Sequence, residues 1–274
     1  MIKKVIKNLL NSFPLIINFY RLNRDFINRF QSKPLKTKFG FSLVGNKAMA
    51  SGDYENNETD LFLELIDKNE LFINVGANIG YYCCIALSKG KRVIAFEPIA
   101  QNIYYLIKNI SINGWSKFVE IFPLCLGKEV DILDIYGGDT GASLIKGWAS
   151  IPETFKQQLP VSTLDSIINT EKLRSKTLIM VDIEGSELMF LQGASKTLTN
   201  DPKPTWIVEI CLDEHQPISN SLNPNFIKTF EIFFDAGYKC YSADKNREEL
   251  NYDKILSIAN GGSPQKNHNY LFIE

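Results

Sequence analysis

The ten residues Leu71-Phe-Ile-Asn-Val-Gly-Ala-Asn-Ile-Gly80 constrain the fold more than any other stretch of this chain. Leu71–Val75 is a near-continuous apolar run, as a strand buried on both faces requires. It leads into a turn with glycines four apart, and Tyr81–Ser88 then reads as a helix. Strand, glycine turn and helix make the opening unit of a parallel α/β sheet. Gly76 removes the Cβ that would keep a ligand away from the backbone, and the first N–H groups of the following helix are free to meet it. The pattern is not the G-x-G-x-x-G of dinucleotide enzymes, whose second glycine would fall on Asn78, and no Lys-Ser/Thr pair follows to make a P-loop. A tight turn with no ligand would use the same glycines.

From residue 58 onward, short apolar runs alternate with helical periodicity. Helices are expected at Glu58–Lys68, Gln101–Ile112, Ser186–Leu198 (broken at Gly193) and Phe226–Ala236. Strands are expected at Arg92–Glu97, Phe118–Phe122, Thr177–Asp182 and Trp206–Ile210, with closing strands at Tyr238–Tyr241, Ile255–Ala259 and Asn269–Ile273. Residues 129–161 hold short strands and a glycine-rich loop, and residues 213–225 read as a loop. The expected architecture is α/β, with a seven-stranded, mostly parallel sheet, helices on both faces and an antiparallel last hairpin.

Charge divides the chain. Its 30 Lys and Arg nearly balance 31 Asp and Glu, for a net charge of −1, which gives no support to a nucleic-acid binder acting through overall charge. Yet residues 1–40 hold nine basic residues against the single acid Asp25. Residues 1–35 are therefore expected to form a basic, amphipathic helical extension, and residues 36–274 the catalytic domain. The apolar stretch of the arm is broken by Asn11, Pro14 and Asn18, so it is a poor secretory signal, and it is too short for a membrane span. Packing on the domain or on a second subunit is the expected role of residues 1–35, with contact to a membrane surface as the alternative. Five cysteines without a CxxC pair suit a reduced, cytoplasmic protein.

Three further segments carry chemistry. In Val93-Ile-Ala-Phe-Glu-Pro98 an acid ends the second strand, 17 residues after Gly80, where a carboxylate can accept both hydroxyls of a ribose. In Leu178-Ile-Met-Val-Asp-Ile-Glu-Gly-Ser-Glu187, Asp182 ends an apolar strand with Glu184 close behind, at the edge where open α/β sheets form their ligand crevice. Glu187 serves as well to start the next helix. Glu209 interrupts the apolar strand before Cys211, and an acid there is expensive unless paired or functional. His215, one of two histidines, lies just beyond as a general base or a solvated loop residue.

This ordered set resembles the FkbM-type family of Rossmann-like, class I S-adenosylmethionine-dependent methyltransferases, over about residues 40–274. The resemblance rests on Gly52-Asp-Tyr-Glu55, Asn74-Val-Gly-Ala-Asn-Ile-Gly80, Phe96-Glu-Pro98, Leu106-Ile-Lys-Asn109, Val161-Ser-Thr-Leu-Asp165, Val181-Asp-Ile-Glu-Gly-Ser-Glu187 and Gly193. Asn74 stands where the family usually has Asp, and Met180 where it commonly has Lys. The resemblance implies S-adenosyl-L-methionine as cofactor and O-methylation of a hydroxyl on a saccharide, glycan or secondary metabolite. It implies cofactor-binding roles for Glu55, Asn74, Gly76, Ala77, Asn78, Gly80, Glu97, Pro98, Asn102 and Asp182. Asp182, Glu184 and His215 are the expected catalytic residues, with Glu209 as a further base or clamp, and the loops at 137–152 and 211–225 are expected to cover the acceptor. Two alternatives stand beside this reading. One is an adenosine-ligand-binding protein without catalysis, docked through its basic arm. The other is a metal-assisted transferase using Asp182, Glu184 and Glu209.

Overall fold

A computed structural model describes residues 33–138, 141–153, 155–169, 171–217 and 219–274, so the expected helical extension lies outside the described residues. The strands are β1 (Leu35–Lys36), β2 (Ser42–Leu43), β3 (Leu71–Val75), β4 (Arg92–Phe96), β5 (Val119–Phe122), β6 (Cys125–Leu126), β7 (Asp131–Tyr136), β8 (Lys156–Ser162), β9 (Thr177–Val181), β10 (Thr205–Glu209), β11 (Lys239–Ser242) and β12 (Asn269–Ile273). The helices are α1 (Lys47–Ser51), α2 (Asn56–Asp67), α3 (Tyr81–Ser88), α4 (Ala100–Ile112), α5 (Leu164–Ile167), α6 (Glu187–Gln192), α7 (Ser195–Leu198), α8 (Phe226–Asp235) and α9 (Tyr252–Ala259).

A seven-stranded sheet in the order β11-β12-β10-β9-β3-β4-β5 forms the centre. Only β12 runs against its neighbours, pairing antiparallel with both β10 and β11. From β3 the chain steps outward through β4 to β5, then returns to lay β9 and β10 on the other side of β3. The strand order therefore reverses between β3 and β9, and such a reversal opens a crevice beyond the carboxyl ends of the strands. Alternation along the strands feeds two cores. Ile73, Val75, Phe96, Ile179 and Val181 pack against Phe190, Phe226 and Phe230 on one face. Phe72, Ala95, Leu178 and Met180 pack against Phe62, Tyr81 and Leu106 on the other. Between β5 and β9 the chain builds a second sheet, β6-β8-β7, that stands over the crevice end.

Ile255–Ala259 is not a strand as expected but the second half of α9. The Asn251 side chain accepts the Lys254 N–H at 3.0 Å and starts a helix whose Ile255 and Ile258 face the core at helical spacing. A cap of this kind outweighs the short-range look of an apolar run. Val161-Ser-Thr-Leu-Asp165 turns out to be structural. Asp165 accepts the N–H groups of Lys196 and Thr197 at 2.7 and 2.9 Å, and so caps α7.

Gly193 sits where that cap meets the second sheet, and a Cβ on it would lie 2.0 Å from the Gly127 carbonyl oxygen. Backbone cannot yield as a flexible side chain does, so Gly193→Ala is expected to destabilise the fold by about 1–3 kcal/mol. A lower midpoint in thermal denaturation checks this, and an unchanged midpoint contradicts the packing described.

Candidate functional site

Strand register sets the site. Val75 pairs with both Phe96 and Val181, and Val181 pairs with Val208. The next residue on each strand is Gly76, Glu97, Asp182 and Glu209, so these four lie in one row across the carboxyl ends of β3, β4, β9 and β10. Val75, Phe96, Val181 and Val208 all point into one core below this row.

Gly76 makes the row compact. Its φ is +86°, and a Cβ would fall 1.9 Å from the Asp182 carbonyl oxygen. Its N–H and that of Ala77 both donate to the Phe96 carbonyl, at 3.0 and 2.9 Å. Asn78 follows in the left-handed region at φ +51°, which Asn tolerates better than most residues, and this aims its N–H at Glu97. Glu97 Oε2 accepts that N–H at 2.7 Å, while Oε1 accepts Ile99 N–H at 2.9 Å and the Asn102 amide at 3.2 Å. The carboxylate is buried, which pushes its pKa up, and the three donors work against that shift.

A cleft opens along this row. One wall carries Gly76, Asn78, Glu97, Pro98 and Asn102, and a second is apolar, from Leu124, Leu126, Ile135 and Leu144. Asp182, Glu184 and Ser186 line the third. The Ser186 hydroxyl is buried and has no hydrogen-bond partner.

Carboxylates crowd the third wall. Burial drives Asp182 upward, with further pushes from the charges of Glu184, Glu55 and Glu97. Glu209 is driven up as well, by burial and by Asp182 beside it, so the two carboxyls share a proton in the hydrogen bond between them. Glu184 is raised by burial, against the Trp148 hydrogen bond and the charge of His215. Trp148 Nε1 donates to Glu184 Oε2 at 2.7 Å, and the Ser143 hydroxyl donates to the Glu184 carbonyl at 2.5 Å. Glu55 accepts the Tyr82 hydroxyl at 2.8 Å, and Tyr54 bonds to it as well. Burial lifts the Tyr54 hydroxyl, Glu55 beside it adds to the shift, and Asp182 and Glu209 contribute less.

The structure thus brings Gly76, Asn78, Glu97, Pro98, Asn102, Asp182 and Glu184 to one cleft. It treats the other expected residues differently. Ala77 and Gly80 shape the turn without lining the cleft, and a Cβ at Gly80 would meet Leu106 at 2.4 Å. Asn74 is buried below the cleft, with its amide donating to the Cys83 thiol at 3.4 Å. Glu55 flanks Asp182 rather than lining the cleft. His215 is exposed at the rim, its ring 6.0 Å from that of Trp148 and its carbonyl accepting Ala149 N–H at 2.7 Å. Asp182 and Glu209 engage each other while Glu184 engages Trp148, and no group of three His, Cys, Asp or Glu among the described residues is placed to hold a metal ion.

Sequence reasoning passed over Tyr54, Trp148 and Ser186. The available signals were local: a Tyr beside Glu55, a Trp after Gly147 in a segment with no regular structure, and a hydroxyl between two acids.

Glu187 is buried at the start of α6, and burial pushes its pKa up to about 8, against the hydrogen bond from Gly185 N–H at 2.9 Å. An acid raised in the folded state costs nothing while both states are protonated. The cost grows as pH rises from the unfolded carboxyl range to about 8, because only the unfolded chain releases its proton there. Glu187→Gln keeps the Gly185 bond and is expected to stabilise the protein by a few kcal/mol at pH 8, and by little near pH 4. Denaturation midpoints of parent and variant at the two pH values check the sign.

Among known proteins, the family model described as the methyltransferase FkbM domain matches residues 74–240. A hexuronic acid methyltransferase from Haloferax volcanii is 24% identical over 144 residues, 53% of this chain and 58% of the relative. A methyltransferase FkbM crystal structure from Methylobacillus flagellatus is 20% identical, covering 75% of this chain and 44% of that one at a TM-score of 0.45. An O-methyltransferase from Bacillus cereus, solved with S-adenosylhomocysteine, is 12% identical, covering 82% of this chain and 86% of that one at 0.44. This chain thus spans less than two thirds of the first two. No helix among the described residues is long and apolar enough to cross a membrane.

Proposed function

We propose, for a chain that belongs to the methyltransferase FkbM family, that it moves the methyl group of S-adenosylmethionine onto a saccharide hydroxyl. The observation that carries this reading is the row of Gly76, Glu97 and Asp182 across the strand ends at the point where the strand order reverses. Its polar groups fit the cofactor. Gly76 leaves room for a ligand against the backbone. Glu97 is held by three donors, and its remaining lone pairs suit a ribose diol. The apolar wall suits a flat base, and the unpartnered Ser186 hydroxyl awaits a partner in the same cleft. Asp182 and Glu55 bring negative charge toward the cationic methionine end, which Asn74 does not supply.

When bound, the cofactor supplies a sulfonium methyl for in-line displacement. The chain's own work is placement and proton handling. Glu97 and the Gly76 turn hold the donor side still, which serves a reaction governed by near-attack geometry. Glu184, at the acceptor side with a raised pKa, can take the hydroxyl proton as the new bond forms. The Asp182–Glu209 pair keeps one proton and so one net charge beside the reacting centre. A saccharide acceptor draws support from the name of the Haloferax relative, and a hexuronic acid glycoside is the first acceptor to try.

The test has a binding half and a transfer half. Calorimetry should show binding of S-adenosylmethionine and S-adenosylhomocysteine. Incubation with methyl hexuronosides and neutral glycosides should give a product heavier by one CH2 in mass spectrometry. Absence of binding refutes the cofactor assignment, and binding without transfer to any hydroxyl compound from cell extracts favours the non-catalytic alternative.

Glu97→Ala should weaken cofactor binding about tenfold or more, since a charge-assisted hydrogen bond contributes about 1.5–3 kcal/mol. Equal affinity in parent and variant ends the ribose assignment. Glu184→Gln and Asp182→Asn keep shape while removing charge. Loss of about 10²–10⁴ in turnover in Glu184→Gln with cofactor affinity retained supports Glu184 as the proton acceptor, whereas Asp182→Asn should weaken cofactor binding as well. Parental turnover in both sends the search to His215.

A further inference from the structure

The segment 141–153 is tied to the end of β9 at several points. Ser143 Oγ donates to the Glu184 carbonyl and accepts Ile145 N–H at 2.9 Å. Trp148 is buried, and its indole N–H donates to the Glu184 carboxylate at 2.7 Å. The ring lies against Gly185, where a Cβ would meet Trp148 Cζ3 at 2.5 Å and two more ring carbons at 2.9 Å. Ala149 N–H donates to the His215 carbonyl at 2.7 Å, and the Trp148 and His215 rings lie 6.0 Å apart. Glu184 itself sits in the left-handed region at φ +56°, a conformation its surroundings must hold. The indole N–H is one fixed donor on a planar ring, so its bond fixes where the carboxylate can point.

We propose that Trp148 is a positioning residue, whose indole N–H keeps the Glu184 carboxylate turned to the acceptor side of the cleft while Gly185 leaves room for its ring. This rests on the reading of Glu184 as the proton acceptor. The Glu184 charge in turn pushes up the groups that face it from the neighbouring elements: Asp182 after β9, Glu187 on α6, and Glu209 and Cys211 on and after β10. His215 is the opposing charge when protonated. Among so many carboxylates, a neutral N–H donor favours the charged form without adding a cation that would oppose the cofactor.

Trp148→Phe removes the donor and keeps an aromatic ring. Benzothienylalanine at position 148 keeps the size and shape of the indole and lacks only the N–H, so it serves where the phenylalanine variant fails to fold. Two readouts apply. In turnover on a methyl hexuronoside, either substitution is expected to slow transfer about tenfold or more with cofactor affinity within twofold of the parent. The acidic limb of the rate profile should move to higher pH, because a carboxylate that loses a donor ionises later. Intrinsic fluorescence needs no acceptor. The parent should show a pH-dependent step from the indole beside a titrating carboxyl, and both Glu184→Gln and Trp148→Phe should lack it. A parental rate and profile in the Trp148 variants, or a fluorescence step that survives in Glu184→Gln, overturns the proposal. Should Glu184→Gln lose the step yet keep turnover, the indole still holds Glu184, and the reading of that residue as the proton acceptor fails instead.

Discussion

The carboxyl ends of β3 and β9 meet at Gly76 and Asp182 more closely than any side chain at position 76 would permit. The two halves of the sheet are laid down in opposite directions from β3, and this contact joins them without a gap. Because the register continues across the join, Gly76, Glu97 and Asp182, each just past its strand, fall at one level with Glu209, the last residue of β10. Three of the four are acids. A row of carboxylates at the edge of a low-dielectric sheet is costly, and each is accommodated in its own way.

Glu97 is satisfied mainly by backbone. Its donors at Asn78 and Ile99 belong to the turns that end β3 and β4, so the carboxylate moves only if the sheet moves. Asp182, Glu209 and Glu184 are satisfied by other side chains, through a shared proton in one case and an indole in the other. The first arrangement suits holding a ligand that is always the same. The second leaves pKa values high and partners exchangeable, which suits groups that take and return protons. One cleft thus has a rigid end and a titratable end, and the strand order decides which is which.

That division also explains what could be read in advance. Leu71–Val75, Tyr81–Ser88 and the acid at Glu97 follow from buried-strand composition, a glycine turn and the length of one helix and strand, all local quantities. Asp182 and Glu184 were visible as acids after an apolar strand. Their partners were not, because Glu209 meets Asp182 through pairing of β9 with β10, and Trp148 meets Glu184 across 36 residues of chain. Asn74 shows the opposite limit. The strand's alternation aims its amide at Cys83 beneath the cleft, whatever its place in the motif suggests. Ile255–Ala259 looked like a strand until Asn251 was seen to cap it. The basic residues of the first 35 positions fall largely outside the described part of the chain.

Backbone strain follows the same geography. Seven described non-glycine residues have positive φ, and six of them, Glu55, Asn78, Ala149, Ser150, Glu184 and His215, border this site. Such conformations cost about 1–3 kcal/mol each unless the residue tolerates them, and they persist only where surrounding contacts hold them. Toward β3 and β4, Asn78 is kept by Glu97, and Glu55 by Tyr54 and Tyr82. Beyond β9 the strained residues are linked through one segment, since Ala149 bonds the His215 backbone and Trp148, next in the chain, bonds Glu184. Trp148, Gly185, Ala149 and His215 thus form one connected set around Glu184, whereas Glu97 is tied to the turns that end β3 and β4 and to Asn102 on α4.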